Sequence, residues 1–252
     1  MSLVTFGTMT ADVDAVLFDK DGTLFDARVL LREMGRTRLR LLVQAGASSE
    51  AVARMCLAIG FDPESGEIDR NGPLACATPR EEALAAATAL YLAGYPWASA
   101  RRLALDAYEK SEKELDLSKV ALLFPGATAA LQSLSAAGVL LGLVTTDGRE
   151  RSRRMLALAG IDALMSVVVG AEDFSHPKPD PEPLLKACDL LGVSPTRCAY
   201  VGDSPNDMLA ASNAGVAVRA AVLSGIGDRS SLARAAAVVM ESVASIRPFV
   251  SQ

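Results

Sequence analysis

Four short runs of this chain are apolar without alternation, and each closes on small or polar residues. They are VDAVLFD (Val13–Asp19), VLLGLVTT (Val139–Thr146), SVVVG (Ser166–Gly170) and CAYVGD (Cys198–Asp203). A strand with one wet face alternates polar and apolar residues, whereas a strand covered on both faces does not. These runs therefore predict buried strands of a parallel sheet with helices on both sides. Helical patterns separate the later runs. GATAALQSLSAAG leads into the second, RERSRRMLALAG follows it and PEPLLKACDLLG precedes the fourth, each ending in a Gly suited to a helix C-terminus. After the fourth, DMLAASNAG reads as another helix, and VAVRAAV and AAVVM as further strands. The alternation predicts an α/β fold built on a doubly wound, mainly parallel, Rossmann-like sheet.

Residues 26–120 break the pattern. They read as amphipathic helices (RVLLREMGRTRLRLLVQAG, SSEAVARMCLAIG, REEALAAATALYLAG and ASARRLALDAYEKSEKEL), with a loop, Phe61–Pro79, between the second and third. The simplest arrangement is an all-helical domain, 26–120, inserted into a discontinuous α/β core made of 1–25 and 121–252.

Composition narrows the classes of function. Of 252 residues half are hydrophobic and 22% charged, which predicts a substantial core rather than disorder. A net charge of −5 disfavours a nucleic-acid backbone as partner but leaves room for a small anion in a local pocket. No signal-peptide pattern and no run near the ~20 apolar residues of a membrane span is present, so neither a membrane nor export is expected. The four cysteines form no C-x-x-C pair and read as reduced thiols of a cytoplasmic protein.

Ligands of an open parallel sheet bind outside the carboxyl ends of its strands. The first run ends in Asp19-Lys20-Asp21-Gly22-Thr23, the second in Thr145-Thr146-Asp147-Gly148, and the fourth in Gly202-Asp203-Ser204-Pro205-Asn206-Asp207. Before the fourth, Lys178 stands between two prolines. One sheet edge would thus gather several carboxylates, a hydroxyl and an ammonium. Such like charges raise one another's pKa unless a cation joins them. All-oxygen donors without His or Cys select a hard ion, and Mg²⁺ fits better than zinc.

In that order and placement the chain resembles the haloacid-dehalogenase-like hydrolase superfamily, with phosphoglycolate-phosphatase-like members nearest. DKDGT matches the first motif, Thr145 the second, Lys178 the third and GDSPNDM the fourth. The resemblance implies that the helical insert is a cap domain and that the enzyme is a Mg²⁺-dependent phosphatase of a small phosphorylated metabolite. It implies Asp19 as nucleophile, forming an aspartyl-phosphate, and Asp21 as acid and then base. Thr145, with Thr146 beside it, would bind phosphoryl oxygens, and Lys178 would neutralise charge there. Mg²⁺ would be held by Asp19, the Asp21 carbonyl and Asp203, while Asp207 anchors a metal-bound water or Lys178. The acid two residues after the nucleophile favours phosphate esters over dehalogenation.

Two positions depart from the family pattern: Lys20, where an apolar residue is common and the side chain is expected to face away from phosphate, and Thr146, where Asn is often found. Other features have plainer readings. Asp26 suits a helix N-cap. His176, the only histidine, has no role in this chemistry. Trp97, Tyr91 and Tyr95 read as packing, RERSRR as a solvated helix face and SGIGDRS (Ser224–Ser230) as an ordinary loop. The cap loop with Arg70, Arg80 and Lys113 is where specificity is sought. Rival readings are a phosphosugar mutase sharing all four motifs, against which Thr23 weighs, and a silent binding protein on the same fold.

Overall fold

The computed structural model describes residues 2–250. Two compact units are present, one formed by the residues up to Ala27 with those from Leu117 onward, the other by Arg28–Asp116. The strands, all in the first unit, are β1 (Ser2–Phe6), β2 (Met9–Val13), β3 (Ala15–Phe18), β4 (Leu140–Val144), β5 (Val167–Val169), β6 (Cys198–Gly202), β7 (Val218–Val222), β8 (Val238–Met240) and β9 (Ile246–Pro248). Five helices belong essentially to the second unit: α1 (Ala27–Gln44), α2 (Ser49–Ile59), α3 (Pro73–Cys76), α4 (Pro79–Leu92) and α5 (Trp97–Glu114). The first unit carries α6 (Leu117–Val120), α7 (Ala127–Ala136), α8 (Arg149–Leu158), α9 (Glu182–Leu191), α10 (Pro205–Ala214) and α11 (Arg229–Leu232).

Strands β3 to β8 form one sheet in the order β5-β4-β3-β6-β7-β8, and every pairing in it is parallel. The apolar runs explain this: all residues of β3 and β6 are buried, so neither face of the central strands meets water. Leu17 and Tyr200 of the sheet pack with Leu184 of α9 and Met208 of α10 in one core. From β3 the chain order runs to β4 on one side and to β6 on the other. That reversal opens a crevice at the carboxyl end of β3, immediately before Asp19.

The first apolar run does not form one strand. Val13 ends β2, paired with Ser2, and β3 begins only at Ala15. Charge marks the break, because Arg197 donates to Asp12 on one side (2.9 Å) and Asp14 on the other (2.7 Å). A second sheet, β2-β1-β9, is antiparallel and was not expected. Its hairpin turns at Gly7, whose φ of 57° is costly for residues with a Cβ. TFGTMT, β-branched residues around a Gly, carries that signal.

In the helical unit, Ser48 Oγ caps α2 by accepting from Ala51 N (3.2 Å), and Thr78 with Glu81 forms a capping box on α4. The segment Phe61–Pro79 is more structured than a plain loop. An antiparallel bridge joins Phe61 to Ile68, and α3 begins with Pro73 at its first position, where a missing N–H costs nothing. Leu42, Met55, Ile59 and Leu90 are wholly buried in this unit's core.

Candidate active site

Asp19 follows β3 directly and is buried, its backbone N donating to Val201 O (2.8 Å) across to β6. Lys178 Nζ donates to Asp19 Oδ1 (2.6 Å), to Asp207 Oδ1 (2.6 Å) and to the Tyr200 hydroxyl (3.0 Å). Carboxylate oxygens of Asp19, Asp203 and Asp207 lie within 4.8 Å of one another. The structure therefore brings together four of the residues picked from sequence, from three separate stretches of chain.

Asp207 owes its position to helix capping. Ser204 is the N-cap of α10, and its hydroxyl accepts from Asp207 N (3.2 Å). In return Asp207 Oδ2 accepts from Ser204 N (3.0 Å) and Oγ (2.6 Å), a reciprocal capping box. Its Oδ1 accepts from Lys178 and from Tyr200 OH (2.9 Å), so both oxygens are occupied. Asp207 thus holds the Lys178 ammonium through Oδ1. Tyr200 escaped notice, although its inward place on β6, three residues before Asp203, was a usable signal.

Asp203 is held by a loop that read as ordinary. Ile226 N donates to Asp203 Oδ2 (2.8 Å), Gly227 N to Asp203 O (3.0 Å), and Ser224 Oγ to Gly22 O (2.7 Å). A Cβ on Gly225 would overlap the Asp203 carboxylate, and one on Gly22, whose φ is 86°, would press on the same group. Glycine at both positions lets two backbones close around that carboxylate.

Thr145 is buried at the end of β4, beside β3 in the register Phe18–Leu143. Its N donates to Val169 O (3.0 Å) and its hydroxyl accepts from Asp147 N (3.1 Å). Thr146 is exposed. Asp21 has one oxygen, Oδ2, 3.1 Å from Lys20 Nζ, and its Oδ1 is buried without a hydrogen-bond partner, as is Thr23 Oγ1. Lys20 itself is completely buried and contacts both Asp147 and Asp21.

Electrostatics follow from this packing. Burial pushes the Asp19 carboxyl up to about 7, with the neighbouring Asp207 charge adding to the rise and Lys178 opposing it. Burial, then Asp19 and Asp207, also raise Asp203. Burial alone would lower Lys178, but Asp19 and Asp207 reverse this and keep it an ammonium. With all three carboxyls ionised, the cluster would hold two negative charges more than the Lys178 ammonium answers, which is why Asp19 and Asp203 keep their protons more tightly in the absence of a cation. An all-oxygen cluster with that surplus fits one hard divalent cation. Since Asp207 is saturated, the carboxylates with lone pairs to offer it are Asp19 and Asp203.

The remaining candidates lie elsewhere. His176 Nδ1 pairs with Glu182 (2.9 Å) at the surface. In the helical unit Tyr91 and Trp97 pack edge to face, Tyr95 OH accepts from Ser48 N (3.0 Å), and Lys113 pairs with Glu109 (2.7 Å). In RERSRR, Arg149 pairs with Asp173 (2.5 Å), Arg151 with Asp147 (3.2 Å) and Arg153 with Asp162 (2.9 Å). All four cysteines are free thiols.

A sheet reversing at β3, an Asp-x-Asp pair after that strand and a Lys–Asp ion pair beside it place the chain in the Rossmann-like α/β class. The model of the haloacid dehalogenase-like hydrolase family matches residues 13–215, and the chain belongs to that family. It is 32% identical over 241 residues, 90% of its own length and 91% of the relative's, to a phosphoglycolate phosphatase of Xanthomonas campestris pv. campestris (strain 8004). Over 85 residues, 34% of this chain and 39% of that protein, it is 45% identical to pyrophosphatase PpaX of Bacillus velezensis. The crystal structure of a subfamily IA hydrolase of the same superfamily from Geobacter sulfurreducens PCA shares the fold, with a TM-score of 0.60 at 24% identity over 92% of this chain and 93% of that one. No helix among the described residues is long and apolar enough to cross a membrane.

Proposed function

We propose that the protein is a Mg²⁺-dependent phosphatase of small organic phosphate monoesters, phosphoglycolate-like or sugar phosphates, working through an aspartyl-phosphate. The observation that carries the reading is the pair Asp19 and Asp21 after β3, with Lys178 bridging Asp19 to Asp207 at 2.6 Å on each side. The full-length likeness to a phosphoglycolate phosphatase supports the substrate class.

Lys178 occupies Asp19 Oδ1, which leaves Oδ2 to attack phosphorus. As the P–O bond breaks, Asp21 hands its proton to the leaving oxygen. Asp21 then takes a proton from water, whose oxygen attacks the acyl phosphate, freeing inorganic phosphate and restoring Asp19. Thr145 and nearby amides orient phosphoryl oxygens, and Lys178 balances the charge that develops on them. Asp19, the Asp21 carbonyl and Asp203 would hold Mg²⁺, which supplies a compact positive charge for the attacked phosphoryl group. The helical unit is read as a cap that selects the substrate and excludes water.

The test is phosphate release from a panel that includes phosphoglycolate, hexose phosphates and inorganic pyrophosphate, with and without chelator. Mg²⁺-dependent release from a monoester is expected. Conversion of a sugar phosphate to its isomer without free phosphate would favour a mutase, and no turnover of any ester would favour a binding protein.

A further inference from the structure

Lys20 is a lysine with no exposure, next in sequence to Asp19, and the chemistry above leaves it idle. Its Nζ touches Asp147 and lies 3.1 Å from Asp21 Oδ2 and 3.5 Å from Met155 Sδ. Burying an ammonium is expensive, and such a group persists only when paired. A surface position would serve a merely structural charge at less cost.

The two partners are not arbitrary. Asp21 Oδ2 is engaged by Lys20 while Oδ1 has no partner, so the carboxylate is held by one oxygen and its other remains uncommitted. Asp147 reaches back to the phosphate-side loop: its N donates to Thr145 Oγ1 (3.1 Å), and its Oδ1 accepts from Gly148 N (2.8 Å). Arg151 supports Asp147 from the other side at 3.2 Å. One ammonium thus ties the turn after β3 to the turn after β4.

We propose that Lys20 is a positioning residue for the reaction, holding Asp21 by Oδ2 and the Thr145–Gly148 turn through Asp147 so that proton donor and phosphoryl site keep one spacing. The proposal rests on the reading of Asp21 as the acid.

Acid assistance matters for a poor leaving group and little for a good one. The experiment compares kcat and KM of wild type, Lys20→Met and Asp21→Asn on an alkyl phosphate and on p-nitrophenyl phosphate. Lys20→Met should lose at least about tenfold more kcat/KM on the alkyl ester than on the nitrophenyl ester. The ratio kcat/KM reports the first phosphoryl transfer and leaves out the later step, common to both esters, in which Asp21 is the base. The Mg²⁺-induced thermal shift should be retained, because Asp19 and Asp203 are untouched. Lys20→Arg, which keeps the charge, should recover part of the loss. If Lys20→Met fails to fold, Lys20→Met/Asp147→Asn removes the stranded carboxylate and should show the same selective loss. Equal loss on both esters, or none, while Asp21→Asn is selective, overturns the positioning role and leaves the phosphatase reading intact. If Asp21→Asn itself shows no leaving-group selectivity, its assignment as the acid fails and the role of Lys20 fails with it.

Discussion

In the helical unit, Arg38 is 1% exposed and donates to both oxygens of Glu82 at 2.7 Å. Tyr108 OH donates to the same carboxylate (2.7 Å), the Tyr108 ring lies 4.0 Å beneath the guanidinium, and Arg38 Nε donates to Ser111 Oγ (3.3 Å). At the sheet edge, the Lys178 side chain is 7% exposed and stands among three carboxylates. Nearby, Asp21 Oδ1 is left without a partner. One network is closed, with every group answered inside its own unit. The other keeps surplus negative charge and an uncommitted oxygen. Both are polar and largely buried, so burial alone does not set the candidate site apart from a structural ion pair; the imbalance does.

The comparison breaks most plainly at Asp19. Asp19→Asn should cut kcat by at least about 10³-fold while the protein stays folded. Its metal-free stability at pH 8 should not fall. Burial raises the Asp19 carboxyl from 3.8, the ordinary aspartate value, to about 7 when folded, so the folded state holds the proton more tightly than the unfolded chain and loses stability as pH rises from 3.8 to about 7. Asn removes that loss. A variant retaining a tenth of the wild-type rate, measured by phosphate release, would mean that another group is the nucleophile.

The closed network should behave in the opposite way. Arg38→Met strands Glu82 and should destabilise the protein by about 3–5 kcal/mol, with kcat of the folded fraction unchanged. Arg38→Met/Glu82→Leu should regain part of that stability, as paired apolar replacements of buried ion pairs do, the rest being lost because the Tyr108 hydroxyl is left without its acceptor. Denaturant titrations of both variants decide this. A double variant no more stable than the single one would mean that the pair does more than fill its space.

These contrasts also explain what was readable in advance. The sheet was legible because β3 and β6 are buried throughout and therefore lack alternation, and the strand-end motifs followed from it. The antiparallel sheet was not, since Asp12 and Asp14 interrupt the run and their partner, Arg197, is over 180 residues away in sequence. The capping box of Ser204 and Asp207 went unread, although S-P-N-D before an apolar run carries its spacing. The hold of Ser224–Gly227 on Asp203 was not legible, because backbone N–H groups have no sequence signature. Lys20 was expected to face away from phosphate, and nothing local announces that it is buried with Asp147 beside it.

A smaller effect sharpens the imbalance itself. Metal binding must displace the protons held by Asp19 and by Asp203, whose carboxyl burial also raises, so Mg²⁺ affinity should fall by at least about tenfold per pH unit below 7. Mg²⁺ titrations followed by thermal shift from pH 5.5 to 8 would read this. Affinity independent of pH over that range would place the cation away from Asp19.

The central claim, that Asp19 carries the phosphoryl group, is open to one direct measurement. The enzyme is mixed with substrate, quenched in acid during turnover and treated with borohydride, which reduces an aspartyl-phosphate to homoserine. Peptide mapping by mass spectrometry should then find homoserine at position 19, in substoichiometric yield, and no reduced residue at position 21, 203 or 207. Rapid turnover with an unmodified Asp19, or reduction at another carboxylate, would contradict the account.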